Sequence, residues 1–148
     1  MTKNPLLYFL LLVCASSGAQ ESEPTPRWYS ASLAKSGERV FKDNCASCHG
    51  DKAQGIYSDW QETLPDGNYP PPPLNGTAHA WHHSISVLAQ YIYNGGEKYK
   101  GVMPGFKGKL SHQEAASCIA YFQSFWSDNL YKKWLANGGM DVDLTGDN

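Results

Sequence analysis

Three side chains that can bind a metal or form a covalent bond lie within five residues of one another: Cys45, Cys48 and His49, in the segment CASCHG. If this segment is helical, positions i, i+3 and i+4 project from one face. Two thiols and an imidazole are then directed at the same object. Gly50 follows directly, and glycine is typical of the end of a helix.

Four kinds of site use cysteine and histidine in this way. A zinc site needs four ligands, usually from a second pair of cysteines or histidines, and the chain has no second CxxC. A thioredoxin-like redox pair lies in a βαβ unit, which the pattern does not predict. A structural disulfide would leave His49 without a role. The spacing favours the fourth kind, a c-type haem attachment site, in which both thiols bond the haem and His49 binds its iron.

A histidine on one side of a haem iron leaves the opposite axial position to be filled. Met103 is the candidate, because its thioether lies in the glycine-flanked segment YKGVMPGFKG. Methionine opposite histidine is the axial pair of electron-transferring cytochromes c. The alternative role for Met103 is to fill a gap in the core.

The elements that must position these residues are helical. Apolar residues spaced by three and four predict a first helix from Ser32 through Cys48, a second over residues 84–93 and a third opened by the capping box of Ser111 and Glu114. A further short helix is predicted over residues 129–135. Residues 51–80 carry four consecutive prolines and no strand signal, so we expect an all-α fold of three to five small helices whose long loops wrap a bound group.

The 148 residues have a formal net charge of −2, which argues against a nucleic-acid binder.

The first residues of the chain indicate an exported protein. Residues 1–19 have the basic start, short apolar run and small-residue cleavage site of a secretory signal. Lipidation of Cys14 is the alternative, although the bulky Val13 precedes it. In an oxidising compartment, covalent attachment to haem explains why Cys45 and Cys48 do not pair with each other.

The chain resembles the class I c-type cytochromes, and in particular small exported bacterial monohaem cytochromes. The resemblance rests on CASCHG, on Gly37 and Phe41 before it, on Tyr121 in the last helix, on the segment PPLNG and on the position of Met103. It implies the cytochrome c fold with one covalently bound haem c. It also implies that the carbonyl of Pro72 accepts a hydrogen bond from His49 and that Leu74 lies against the proximal face of the haem. The proline-rich insertion and the segment beyond Trp126 depart from the family pattern.

The resemblance also divides the chain into four parts. Residues 1–19 are the signal peptide, 20–31 a flexible lead-in, 32–127 the cytochrome c domain, and 128–148 a helical extension with an acidic tail. Since the helices supply little core of their own, we expect the centre to be unfilled without haem. Cys118, on the apolar face of its helix, is expected to be a buried hydrophobe.

Two further groups of residues have more than one interpretation. The first group is the three histidines at positions 79, 82 and 83 (His79, His82 and His83). They could be surface or capping residues, bind a metal ion, provide a distal ligand of the haem iron or contact the haem propionates. Lys98, Lys100, Lys107 and Lys109 flank Met103; they form either a solvated loop or a ring that attracts an acidic redox partner.

The function expected from these features is transfer of single electrons between redox proteins in the periplasm, without catalysis of a reaction of its own. Two alternatives remain open. One is a fixed haem relay in a respiratory or dehydrogenase complex, for which residues beyond Trp126 would provide a docking helix. The other is a haem enzyme or sensor, which would apply if Met103 does not bind the iron.

Overall fold

The computed structural model describes residues 23–142, and in this range it contains five α-helices and no β-strand. The helices are α1 (Ala31–Asn44), α2 (Ala46–His49), α3 (Ile85–Asn94), α4 (His112–Gln123) and α5 (Asp128–Ala136), with short 3₁₀ turns at Ala80–His82 and Glu97–Tyr99. The predicted all-α fold is confirmed. The predicted signal peptide, the lipid tether at Cys14 and the acidic end from residue 143 lie outside the described residues. None of the helices in the described range is long and apolar enough to cross a membrane.

The first helix is shorter than its hydrophobic pattern predicted. It begins after Ser30, whose hydroxyl accepts the backbone N–H of Leu33, and it ends at Asn44 rather than continuing through Cys48. The carbonyl of Cys45 accepts N–H groups from both Cys48, at 3.1 Å, and His49, at 2.9 Å. This shared acceptor tightens the chain into the separate turn α2, so the prediction of one continuous helix was wrong. Gly50, with φ of 77°, ends that turn.

Helices α1 and α4 pack closely because Gly37 has no side chain. A Cβ on Gly37 would lie 1.8 Å from the carbonyl oxygen of Ser117 in α4. One turn further along α1, the ring of Phe41 packs against that of Tyr121, with centroids 5.2 Å apart. Gly37, Phe41 and Tyr121, which carry part of the resemblance, therefore meet where α1 crosses α4, and this crossing fixes α2 through its direct connection to α1.

The third and fourth helices follow the sequence patterns closely. Helix α3 buries Ile85, Leu88 and Ile92. Helix α4 begins with the predicted capping box, in which the Ser111 hydroxyl accepts the Glu114 N–H and the Glu114 carboxylate accepts the Ser111 N–H. Just beyond the end of α4, Trp126 is buried and Phe125 is exposed.

Helix α5 connects the end of the domain to the loop between α2 and α3. The indole N–H of Trp134 donates to the carbonyl of His83 at 2.8 Å. The indole of Trp126, just before α5, donates to the carbonyl of Leu74 at the same distance. These two bonds hold both ends of the loop segment 74–83, which contributes to the central cavity described below.

Part of the predicted lead-in packs against α4 and α5. The backbone N–H of Thr25 donates to Asp128 at 2.8 Å, and the indole of Trp28 donates to the buried amide of Gln123 at 2.6 Å. The guanidinium of Arg27 lies 4.0 Å from the ring centroid of Tyr131. Residues 25–28 are thus fastened to the C-terminal helices; the four predicted domain boundaries themselves stay predictions.

Candidate functional site

A cavity of about 460 Å³ lies between the helices and the long loops. Its size is within the range of small-molecule and cofactor sites, about 300–1,000 Å³. Its walls include His49, Pro72, Leu74 and Met103, four of the six residues singled out from the sequence. This arrangement agrees with the prediction that the helices alone do not fill the centre of the fold.

His49 is the buried polar residue in this wall. Its side chain is 5% exposed, and its Nδ1 atom lies 2.9 Å from the carbonyl oxygen of Pro72. A carbonyl only accepts hydrogen bonds, so Nδ1 carries the proton and Nε2 keeps a free lone pair. Burial lowers the pKa of His49, although the bond to Pro72 opposes the shift. The neutral ring with a free Nε2 is the form that binds a metal.

Cys45 and Cys48 lie beside the cavity and are not among the residues that line it. Cys48 is exposed and Cys45 partly buried, and both thiols are free. The neighbouring thiol of Cys118 lowers the pKa of Cys45. The Cys45 thiol and burial together raise the pKa of Cys118. Cys118 is 1% exposed, so its prediction as a buried residue is confirmed.

Met103 is held in the wall of the same cavity by a loop that only glycine allows to close. A Cβ on Gly95, which has φ of +77°, would lie 2.6 Å from the carbonyl oxygen of Met103. That same carbonyl accepts the N–H of Gly96 at 2.9 Å, while Gly101 donates to the carbonyl of Gly96 at 3.0 Å. The Met103 side chain packs against the hydrophobic core. Its backbone is therefore fixed on both sides.

The proline segment is hydrogen-bonded both to the loop that contains Met103 and to the chain just after α2. The N–H of Tyr69 donates to the carbonyl of Lys100 in the Met103 loop at 2.8 Å. The N–H of Leu74 donates at 2.7 Å to the carbonyl of Ala53, which follows α2 and has a left-handed φ of 56°. The carbonyl of Pro72 can face His49 because both flanks of the segment are hydrogen-bonded.

The cavity wall also contains aromatic residues and histidines whose roles the sequence left open. Trp60, His79, His83, Tyr91 and Tyr99 line it. Tyr91 and Tyr99 were missed, since nothing in their local pattern separates them from surface aromatics. His82 is exposed and its ring stacks on Trp81, with centroids 3.7 Å apart. No group of three or more His, Cys, Asp or Glu residues within 23–142 could hold a metal ion, so the three-histidine metal site is wrong.

Four exposed lysines flank Met103 along the chain. Lys98 and Lys100 flank Tyr99, and Tyr69, Tyr99 and Val102 are exposed apolar residues in the cavity wall. Lys107 and Lys109 follow in the same loop and are exposed as well. None of these four lysines forms an ion pair with another residue of the described range. The positive charges of these four lysines are therefore not balanced by an ion-pair partner in this range.

A family-level comparison accounts for this combination of fold and cavity. Residues 32–122 match the family described as cytochrome C oxidase, cbb3-type, subunit III. The chain belongs to this family. It is a class I c-type cytochrome, and its cofactor is haem c.

Three curated relatives of this cytochrome agree with that assignment. The cbb3-type cytochrome c oxidase subunit CcoP of Azospirillum brasilense is 32% identical over 91 residues, covering 62% of this chain and 28% of the subunit. Cytochrome c of Sesamum indicum is 30% identical over 60% of this chain and 86% of its own length. Cytochrome c6 of Synechocystis is 29% identical over 57% of this chain and 59% of its own length. No solved structure gives a significant match.

The residues of this cytochrome fit a haem. The cavity wall is largely apolar, the buried ring of His49 has its Nδ1 occupied and its Nε2 free, and two free thiols adjoin it along the chain. The cavity wall also contains a thioether, from Met103, and a buried polar atom without a partner in the described range, Nδ1 of His79. Thioether and imidazole are iron ligands in haem proteins, and the two thiols of a CxxCH segment are groups that attach haem covalently.

Proposed function

We propose that Cys45 and Cys48 anchor haem c covalently, that His49 and Met103 are its axial ligands, and that the protein carries single electrons between redox partners in the periplasm. The observation that carries this proposal is the hydrogen bond from His49 Nδ1 to the Pro72 carbonyl beside a cavity that Met103 also lines. Bound haem supplies one-electron chemistry at its iron.

The residues contribute rigidity and exclusion of water. Pro72 fixes the tautomer and the orientation of the His49 ring, as metal-bound histidines usually require. The tight glycine approaches at Gly95 and Gly105 hold the Met103 backbone, so its thioether can keep one position in both oxidation states. Leu74 adds an apolar wall next to Pro72. If His49 and Met103 both bound the iron, no position would remain on it for oxygen or peroxide, which favours a carrier over a catalyst.

The exposed lysines give this carrier a way to recognise its partners. Lys98 and Lys100 adjoin the exposed cavity residue Tyr99, so an acidic redox protein would be attracted to the mouth of the cavity. Reversal of charge in Lys98→Glu should slow electron transfer and weaken its dependence on salt. The matched control is Arg39→Glu, an equal change of charge on the exposed side of α1. Equal rates and salt dependence in both variants would contradict the docking role.

The axial ligands are tested by absorption spectroscopy of the haem-loaded protein. The wild type should show the weak red charge-transfer band of a ferric iron–methionine bond, and Met103→Ala should lose it. Met140→Ala is the matched control, because Met140 is also partly buried against the core but does not line the cavity. A wild type without the band, with high-spin features or ready binding of carbon monoxide, would make a haem enzyme or sensor the better proposal.

A second function is favoured by the family itself. The match to a subunit of a cbb3-type oxidase and to CcoP supports a role as a fixed haem relay in a respiratory complex. The chain spans only 28% of that CcoP subunit, so the remainder of the subunit has no counterpart in this comparison. Purification from the native membrane and soluble fractions separates the two functions: a stoichiometric partner supports the relay, and a free monomer supports the shuttle.

A further inference from the structure

Two histidines form a pair in the cavity wall at the ends of the Ala80–His82 turn. The ring centroids of His79 and His83 are 5.4 Å apart, and the rings meet edge to face. Trp60 stacks on His79 at 4.8 Å, and Tyr91 lies against His83 at 5.6 Å. Both histidines line the same cavity as His49 and Met103. Aromatic packing on both flanks fixes the pair.

The Nδ1 atom of His79 lacks a hydrogen-bond partner. It is shielded from solvent, and no group in residues 23–142 bonds it. A buried polar atom without a partner costs free energy, so such atoms are rare and indicate that a bound group supplies the bond. Because His79 lines the cavity, that group belongs to whatever occupies the cavity.

The chemistry of the surroundings indicates an acidic group. No carboxylate of the described range lines the cavity. Burial and the neighbouring histidines lower the pKa of His79, and burial and His82 lower that of His83. Two adjacent imidazoles repel each other when protonated, and an anion between or beside them removes this repulsion. Haem c brings two propionate carboxylates, which are the anions available to this site.

Other titratable groups near the pair cannot replace that anion. His82 belongs to the same turn but is exposed and stacked on Trp81. Helix α3 contributes Tyr91, with Tyr99 beyond it, and α5 contributes Lys133, which lies over the ring of Trp81. The loop that carries Trp60 has Asp59 and Glu62, both exposed, and His49 is committed to Pro72. None of these groups supplies a negative charge inside the cavity.

We propose that His79, supported by His83, binds a haem propionate and holds a proton there whose affinity depends on the oxidation state of the iron. This proposal rests on the haem occupying the cavity as in the proposed function. The positive charge gained by the iron on oxidation repels the proton, so the pKa of His79 is lower in the oxidised than in the reduced protein. The reduction potential therefore falls as the pH rises between these two pKa values.

The test compares His79→Gln with His82→Gln in the haem-loaded protein. The reduction potential is measured by spectroelectrochemistry between about pH 5 and 8, the range in which histidines titrate. The wild type and His82→Gln should show the same fall with pH, and His79→Gln should lose most of it. A slope that persists in His79→Gln would overturn the proposal, as would a flat wild type.

An NMR titration of the wild type provides a second readout that does not depend on any variant folding. In the reduced protein, the propionate should place the pKa of His79 above its ordinary value. Burial and the neighbouring histidines by themselves place it below that value. A pKa below the ordinary value in the haem-loaded protein would overturn the proposal. Failure of the proposed function is recognised separately, because the wild type would then lack the iron–methionine band whatever His79 does.

Discussion

Gly37 shows how a single residue determines where the segment with Cys45, Cys48 and His49 lies. The hydrogen of Gly37 occupies a position from which a methyl group would overlap the carbonyl of Ser117 in α4. Gly37→Ala should therefore lower the free energy of unfolding by about 1–3 kcal/mol, the usual cost of overpacking, despite a gain in helix propensity of about 1 kcal/mol. Urea unfolding of the haem-loaded protein measures the change.

The control for Gly37→Ala is Ser36→Ala at the neighbouring exposed position of α1. It should change stability by no more than about 0.5 kcal/mol, as is usual for surface substitutions. If both variants are equally stable, α1 and α4 do not need their close contact.

The roles of individual residues could be predicted from the sequence where their types and spacing are typical of one kind of site. The adjacency of Cys45, Cys48 and His49 pointed to haem, and the resemblance predicted the acceptor of His49 at Pro72, which the structure places at hydrogen-bond distance. The partners of His79 could not be read in the same way. Histidine has many roles, and only the three-dimensional surroundings separate half-buried His79, with its shielded Nδ1 atom, from exposed His82.

Helix α5 braces the loop that forms part of the cavity wall, through the indole of Trp134. Trp134→Phe keeps an aromatic ring but leaves the carbonyl of His83 without its donor, so the free energy of unfolding should fall by about 1–3 kcal/mol. Trp81→Phe is the matched control, because the Trp81 indole makes no hydrogen bond with the described residues. Equal losses in the two variants would show that ring size, and not the bond to His83, matters.

Asp128 connects the N-terminal segment to α5 and makes the stability sensitive to acid. Lys132 and the backbone N–H of Thr25 lower the pKa of this carboxyl from 3.8 to about 2. A lowered pKa in the folded state means that the stabilisation is complete above the ordinary pKa and is lost as the pH falls from about 4 to about 2. Asp128→Asn should lose less stability over that interval than the wild type.

Urea unfolding at about pH 4 and about pH 2 tests the role of Asp128 in this interval. Asp43→Asn, an exposed substitution on α1, is the control and should keep the acid response of the wild type. An unchanged response in Asp128→Asn would contradict the role of this carboxylate.

Among the elements, the helices with strong local signals were predicted best. The capping box of α4 and the apolar stripe of α3 are local features; α3 lies within one residue of its predicted bounds, and α4 begins at the predicted capping box. The break at Cys45 was missed, because the apolar spacing continues through it while the backbone changes direction. The path of residues 51–80 was not predictable either, since it depends on distant acceptors such as the carbonyls of Ala53 and Lys100.

The cavity lies at the centre of the molecule, where a small domain usually has its hydrophobic core. Without haem, the apolar side chains of the cavity wall are not covered, and a domain of this size buries too little other apolar surface to compensate. The chain Cys45→Ala/Cys48→Ala, isolated without haem, should show less helix by circular dichroism and a lower, broader thermal transition than the haem-loaded protein. Cys118→Ala keeps Cys45 and Cys48, the proposed attachment residues, and should retain haem. A haem-free chain with a sharp, unchanged transition would contradict the dependence of the fold on haem.

Because α1 packs against α4, proteolytic cleavage of the loop between them should not separate the two parts of the chain. Residues 56–68 form a largely exposed stretch, whereas the contacts between the two sides of that stretch are many: Gly37 with Ser117, Phe41 with Tyr121, His49 with Pro72 and Ala53 with Leu74. A protease that nicks the loop there would leave two fragments whose complementary surfaces are intact. The amino-terminal fragment would contain Cys45 and Cys48, the carboxy-terminal fragment would contain Met103, and the two would stay associated until denaturant separates them.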